Sequence, residues 1–225
     1  NESICPETLR SYWASEQMSA SRKGGDQTVP AEAVIVEAKV KEIAKSNDVL
    51  AWMGNKLTGT GSYLALANGF VAALGTGSGA VLPNSTLGIT GSVTVSNVIS
   101  IVDSVVNNIP EDIADRDDLV IFTSYANFRL YVQALKNANL YHYSADNDTY
   151  SMLIGGSNVK LVAVPGLAGT SNFVGSFAGN FVMGLGDITD YQALDMWYSQ
   201  DNREVRMAVD YSLGFQIAFP TMVSW

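Results

Sequence analysis

Between residues 205 and 219 every odd position is apolar: Val205, Met207, Val209, Tyr211, Leu213, Phe215, Ile217 and Phe219. The even positions read Arg206, Ala208, Asp210, Ser212, Gly214, Gln216 and Ala218. Strict period-two alternation is the signature of extended chain with one face turned to a core. At ~3.3 Å per residue the run would span roughly 50 Å, far more than an ordinary strand of about five or six residues. Three arrangements satisfy it: one long strand, two strands sharing one register, or a hairpin whose turn preserves parity. Gly214 is the expected bend. A one-residue bulge there would flip the parity, and the parity does not flip. In every case the chain ends on a large, one-sided sheet.

Helical periodicity governs the earlier part. Thr28 can cap a helix, Pro30 suits its first turn and Glu32 its positive end. Ala33, Val36, Val40, Ile43 and Leu50 then recur at three/four spacing with Asn47 on the same stripe. This predicts a helix over 29–50, about 20 residues and ~30 Å long, lying across a sheet in preference to pairing in a two-stranded coiled coil. Trp52-Met53-Gly54 closes it, with Gly54 as a left-handed cap. A short apolar helix is expected over 63–74, and a Gly/Ser/Thr-rich surface loop over 75–92. Thr94 or Ser96 caps a second helix with Val95, Val98, Ile99, Val102, Val105, Val106 and Ile109 on its apolar face, stopped by Pro110. Residues 119–123 read as a short buried strand. Ser124 caps a third helix bearing Phe128, Val132 and Leu135, with Tyr131 beside them. Residues 149–154 and 159–164 form a hairpin around Gly155-Gly156-Ser157-Asn158. Residues 172–183 place Phe173, Phe177, Phe181 and Met183 on one face. Residues 1–28 read as a short amphipathic piece followed by a polar loop. This order is α+β, not an alternating parallel design.

Composition narrows the function. The chain has 225 residues, room for one large domain or two small ones, and carries 13 basic against 22 acidic residues, a net charge of −9. No Lys/Arg-rich run exists, which argues against strong, salt-dependent phosphate binding. Cys5 is the only cysteine, so an internal disulfide and a thiolate metal cluster are excluded. No apolar run approaches the ~18–20 residues of a membrane span, and the start does not read as a signal peptide. A chain beginning at Asn1 is expected to be a processed product or a piece of a longer one.

Catalytic patterns are weak throughout. His142 is the only histidine, so no histidine metal cage can form. Gly75-Thr76-Gly77-Ser78-Gly79 lacks the Gly-Lys-Ser/Thr of a phosphate loop, and Thr76 spoils a nucleophile elbow at Ser78. Asp115-Arg116-Asp117-Asp118 reads as a solvated turn without the alternating ligands of a calcium loop. Asp187, Asp190, Asp195 and Asp201 read as a solvated acidic face more readily than a weak cation site. The expectation is a protein that is not an enzyme, with no catalytic, metal or cofactor site and no cofactor.

Four stretches together resemble the major capsid protein of tailed bacteriophages, the HK97-type fold, and most closely the group found in phages of gut bacteria, including crAss-like ones. They are helix 29–50 running into Trp52-Met53-Gly54-Asn55 and Asn68-Gly69-Phe70; helix 94–109 leading through Arg116-Asp117-Asp118, strand 119–123 and helix 124–138 to Asn139-Leu140-Tyr141-His142; Val159 through Val164 into Pro165-Gly166-Leu167-Ala168-Gly169-Thr170-Ser171; and Met196-Trp197-Tyr198-Ser199-Gln200-Asp201-Asn202-Arg203-Glu204-Val205-Arg206 into the terminal strand and Ala218-Phe219-Pro220. They cover nearly all of the chain after residue 28.

The resemblance implies a long spine helix, a mixed α/β A-domain over about 55–170, and a P-domain of residues 1–54 and about 171–225 holding long antiparallel strands. It implies a structural subunit of a phage or prophage head that self-assembles into pentamers and hexamers around DNA. Its partners would be copies of itself and other head proteins, with packaged DNA touched only weakly and no membrane. Its location would be the virion capsid, after the host cytoplasm. Only residues 1–28 precede the spine helix, so the N-terminal arm and extended loop usual in the family are largely missing. Asp201, Arg203, Glu204 and Arg206 are candidates for intersubunit ion pairs, with solvated edge charges of ~0–1 kcal/mol each as the plain alternative. Trp52, Gly54, Gly69 and the odd residues Val205 to Phe219 are expected structural positions, the odd face packing beneath helix 29–50. Two other readings stay open: an encapsulin-like compartment shell, and an unrelated carbohydrate-active or carbohydrate-binding domain using the aromatic stretch 191–198.

Overall fold

The computed structural model describes residues 2–4, 31–58, 62–76, 92–140, 150–186, 194–199, 204–209 and 212–225. Its helices are α1 (Ala31–Met53), α2 (Phe70–Thr76), α3 (Val98–Asn107) and α4 (Tyr125–Asn137). Its strands are β1 (Glu2–Ile4), β2 (Leu119–Thr123), β3 (Ser151–Leu153), β4 (Lys160–Ala163), β5 (Val174–Phe177), β6 (Phe181–Leu185), β7 (Leu194–Ser199), β8 (Glu204–Val209) and β9 (Leu213–Ile217). This is a mixed α/β fold. Two compact units divide it, residues 1–46 with 184–213 and residues 47–183 with 214–225.

In the first unit β8 lies between β1 and β7, antiparallel to both. The register sets Leu194 opposite Val209, Met196 opposite Met207, Trp197 opposite Arg206 and Ser199 opposite Glu204. Residues 204–209 are extended, as the period-two pattern predicts; the side chains of Val205, Met207 and Val209 lie outside the described residues. β1 is an addition: residues 2–4 pair with Val205 to Met207, and three residues are too few to announce a strand by periodicity.

The second unit is built on the sheet β3-β4-β2-β5. β2 is central, parallel to β4 and antiparallel to β5. Leu119, Ile121 and Thr123 point into the core, the alternation of a strand covered on one face more than the other. α3 brings Val98, Val102 and Val105, and α4 brings Phe128, Tyr131 and Ala134, into one buried cluster with Leu119, Ile121 and Leu161. The β3–β4 hairpin forms as expected, with Ser151 opposite Val162 and Leu153 opposite Lys160. Gly156 holds a φ of 83° in its turn, a backbone geometry open to glycine. Ser124 caps α4 as expected, its hydroxyl accepting from the Asn127 N–H at 3.2 Å.

Several expectations are corrected. α1 runs past residue 50 to Met53, since nothing before Gly54 stops it. Gly54 is not a left-handed cap. It closes α1 through a bond from its N–H to the Leu50 carbonyl at 2.9 Å, and an added Cβ would lie 2.5 Å from the carbonyl oxygens of both Leu50 and Ala67. Close backbone approach, not positive φ, demands the glycine. The helix over 63–74 is split: a 3₁₀ turn at Tyr63–Ala65, capped by Ser62, is followed by α2 beginning after Gly69. Neither Thr94 nor Ser96 is the cap residue of α3; it is Asn97, whose side chain accepts instead from the Thr94 N–H at 2.7 Å. On α4 the fully buried face is Phe128, Tyr131 and Ala134, leaving Val132 and Leu135 half-buried at its margin. The single face over 172–183 is broken by a 3₁₀ turn at Ala178–Asn180. Phe173 and Phe177 join the main cluster, Phe181 a second one, and Met183 is exposed.

The run 205–219 is two strands, but they do not share one register, and the large one-sided sheet expected at the end of the chain is not formed. The break falls between Val209 and Leu213, ahead of Gly214, and the strands enter different sheets: β8 pairs with β7 and β1, β9 with β6. In β9 the odd residues are the more buried, with Ile217 in the core and Leu213 and Phe215 half-buried, while Gly214 and Gln216 are exposed. Phe219 departs from the pattern at 53% exposed. Phe215 and Ile217 pack with Trp52 and the last turn of α1, not along the helix as a whole. Tyr211 lies outside the described residues.

Gly54→Ala should destabilise the protein by about 2 kcal/mol or more, because the new methyl meets two carbonyl oxygens that cannot move independently. Gly75→Ala, in open space near the end of α2, should be neutral or stabilising by up to about 1 kcal/mol. Thermal unfolding of the two variants checks both; equal effects would overturn the close-approach account.

Candidate functional site

Around the C-terminal end of α1 the second unit converges. Trp52 sits 5.3 Å from the Phe70 ring, 5.1 Å from Phe122 and 5.6 Å from Phe181, and Phe70 continues to Phe215 at 5.8 Å. The backbone beneath is equally tight: Gly69 donates to the Gly54 carbonyl at 2.8 Å, and a Cβ at Gly69 would lie 2.6 Å from the Ala51 oxygen. Trp52, Gly54 and Gly69, singled out from sequence, are thus brought together as a structural centre. Asp48, one turn before Trp52, was missed. One of its carboxylate oxygens, Oδ2, is buried without a hydrogen-bond partner. Burial pushes its pKa above the ordinary 3.8, opposed by a bond from the Gly166 backbone.

A turn leaves this centre in the opposite chemical state. Asn55 Oδ1 accepts from the N–H groups of Leu57 at 2.8 Å and Thr58 at 3.2 Å, and Asn68 Oδ1 accepts from Lys56 at 2.9 Å. Polar side chains hold the backbone, yet Leu57 is 81% exposed and Leu66 71% exposed. Elsewhere in this unit Arg116 grips Asp118 through Nε and Nη2 at 2.7 and 2.9 Å and lies over the Phe177 ring at 4.4 Å. The Arg116 guanidinium holds the Asp118 carboxyl below its ordinary range. The turn is solvated as expected, with Asp115, Arg116 and Asp117 exposed and Arg116 paired with Asp118 within it.

The C-terminal residues are pinned by buried amide and hydroxyl groups that no motif announced. Asn180 Nδ2 donates to Ser176 Oγ at 2.9 Å and to the Phe219 carbonyl at 3.0 Å, while its Oδ1 accepts from the Phe219 N–H at 2.7 Å. Ser176 Oγ donates to the Met222 carbonyl at 2.8 Å, and Ser224 Oγ to that of Val105 at 2.9 Å. Burial of lone Asn and Ser residues in a β segment has no sequence signature.

Of the candidate intersubunit residues, Asp201 and Arg203 lie outside the described residues. Glu204 and Arg206 stand in β8, with Arg206 opposite Ser3 on one side and Trp197 on the other. Arg206 is half-buried and Trp197 is 44% exposed. His142, Asp187 and Asp190 also lie outside the described residues, and Asp195 is on β7. Among the described residues no group of three or more His, Cys, Asp or Glu could hold a metal. An open groove of about 600 Å³ between the start of α3 and the end of α4 is lined by Thr94, Ser96, Ile99, Ala134 and Asn137, with no titratable side chain. Nothing there positions an acid, a base or a nucleophile.

No protein-family model matches the chain, and no curated protein matches it in sequence. Solved structures are similar in fold. A chain of the satellite phage P4 procapsid, in a structure that includes the size determination (Sid) protein, aligns with a TM-score of 0.59 and 14% identity over 99% of this chain and 71% of that one. A chain of Mycobacterium phage Che8 aligns with a TM-score of 0.51 and 14% identity over 85% of this chain and 61% of that one. The fold is thus distantly similar to chains from phages, one of them from a procapsid, and this chain spans less than two thirds of the Che8 chain.

A carboxyl whose folded pKa is raised adds stability that is complete below its unfolded pKa and is lost as pH rises through the folded value. Asp48→Asn should therefore be more stable than the parent near neutral pH and lose that advantage on acidification towards 3.8. The gain should be no more than about 1 kcal/mol, since the residue is only half-buried. Unfolding midpoints across this pH range test it; a pH-independent difference would rule out the charge as the cause.

Proposed function

We propose that this chain is a structural subunit of an icosahedral phage head, a major capsid protein of HK97 type that self-assembles into pentamers and hexamers around DNA. The observation that carries the reading is the fold likeness to a chain of the P4 procapsid, which extends over 99% of this chain. The chemistry agrees with a non-enzymatic role. The side chains that are buried and polar in the second unit tie backbone to backbone, and the exposed apolar residues are held on ordered turns and strands. Large apolar surface on an ordered backbone is what an interaction surface needs.

In this reading residues 55–170 are the A-domain, a stretch that falls wholly within the second unit, and α1 is the spine helix. The P-domain, residues 1–54 and about 171–225, draws on both units. Asp201, Arg203, Glu204 and Arg206 supply ion pairs to neighbouring copies, with Arg206 braced beside Trp197. Copies of the chain and other head proteins are the partners. DNA contact is weak, because a net charge of −9 repels phosphate, and tight binding would impede packing and release. The location is the virion capsid, reached from the host cytoplasm. Among the described residues no helix is long and apolar enough to cross a membrane.

Electron microscopy of the purified protein at high concentration tests the assignment: rings or closed shells are expected, and persistent monomers would overturn it. Arg206→Ala should weaken assembly while leaving the unfolding midpoint unchanged. Assembly indistinguishable from the parent would remove Arg206 from the contact.

A further inference from the structure

β6 and β9 form a two-stranded ribbon. Ala218 donates to the Asn180 carbonyl at 3.0 Å, and Gly186 donates to the Ser212 carbonyl at 3.2 Å. These two bonds bracket the ribbon in one antiparallel register, in which Val182 stands opposite Gln216 and Met183 opposite Phe215. Backbone groups in such a ladder alternate between the partner strand and the open edge. Asn180 and Gly186 use theirs toward β9, so Val182 does too, and the N–H and C=O of Met183 face away from it. Among the described residues no third strand takes them up.

The side chains make this edge unusual. At the start of β6 Phe181 packs in the cluster of Trp52 and Phe70. One step on, Val182 is 45% and Met183 52% exposed, and Phe219, tied to Asn180, is 53% exposed. Neither β6 (FVMGL) nor β9 (LGFQI) contains a charge or a proline. An exposed, apolar edge without charge or proline lacks two of the devices that keep strands from pairing, and a two-stranded ribbon is marginal by itself.

We infer that the free edge of β6, centred on Met183, is a pairing surface for β6 of a second copy, joined antiparallel about a two-fold axis. Identical strands paired antiparallel are self-complementary, so one surface serves both partners. Charge favours the same occupant. Two chains of net charge −9 repel, and a stretch without charges is where they approach at least cost. A basic partner would find no carboxylate on this ribbon to recognise. The choice of a second copy also rests on the shell-subunit reading, to which the contact adds a two-fold link between subunits.

Two substitutions test it without touching the core. Met183→Pro removes the outward N–H and keeps every bond to β9, a position where an edge strand tolerates proline. Met183→Glu keeps the backbone and places a charge on the edge. Sedimentation equilibrium of the purified chain, at concentrations below those at which rings or shells form, should show a dimer, weakened about tenfold or more by each substitution, with the far-ultraviolet spectrum and unfolding midpoint retained. A monomeric parent, or a dimer equally tight in both folded variants, would overturn the inference. Rings or shells that persist unchanged in Met183→Pro would likewise exclude this contact while leaving the shell-subunit reading in place.

Discussion

The second unit depends on aromatic rings meeting at the end of a helix. Trp52, Phe70, Phe122, Phe181 and Phe215 come from α1, α2, β2, β6 and β9, and their neighbouring centroids lie between 5.1 and 5.8 Å apart. Edge-to-face and tilted contacts of this kind add about 0.5–1.5 kcal/mol per pair beyond the area they bury. The rings can meet only because the backbones beneath them nearly touch, which is why glycine occupies positions 54 and 69. Aromatic packing and glycine backbone are thus one constraint: larger residues below would push the rings apart above.

Polar groups then select one arrangement among the many that apolar packing allows. Asn127 Nδ2 donates to Thr123 Oγ1 and the Thr170 carbonyl, both at 3.1 Å, and Thr123 Oγ1 donates to the Asn172 carbonyl at 3.1 Å. This fixes the segment leading into β5 against the start of α4. Asn180 does the same for the residues after β9. Buried amides left without partners cost about 1–3 kcal/mol each, so any shift in register is penalised at several points together. Asp48 is the exception, a buried carboxylate oxygen without a partner. It lies near the last turn of α1, where the carbonyl ends of the helix already disfavour negative charge.

The exposed chemistry contrasts with this interior. Apolar side chains that would normally be covered are carried on ordered backbone: Leu57 and Leu66 beside two asparagine-fixed turns, Val182 and Met183 on a strand edge, Trp197 beside Arg206. Among the described residues no group of three or more His, Cys, Asp or Glu is set to hold a metal.

The elements were legible in the sequence wherever local periodicity and capping sufficed. The helix of α1, the 3.6-residue stripe of α3, the Ser124 cap, the buried run 119–123, the Gly155-Gly156 hairpin and the alternation in β9 all follow from the geometry of single elements, which neighbouring residues determine; on α1 the expected stripe is broken at Val40, 50% exposed. The mixture of helices and strands was legible as well. Tertiary structure alone decided that 205–219 divides between two sheets, because pairing partners elsewhere in the chain, as distant as Glu2 from Met207, choose each strand's neighbours. It decided that Gly54 serves close approach instead of a left-handed turn, since Ala67 makes the contact. It placed Asn180, Asn127 and Asp48 in buried positions, because burial of a lone polar residue is imposed by what packs over it. For the same reason the candidate assembly edge at Met183 has no local signature: an apolar strand residue reads the same whether a core covers it or solvent does.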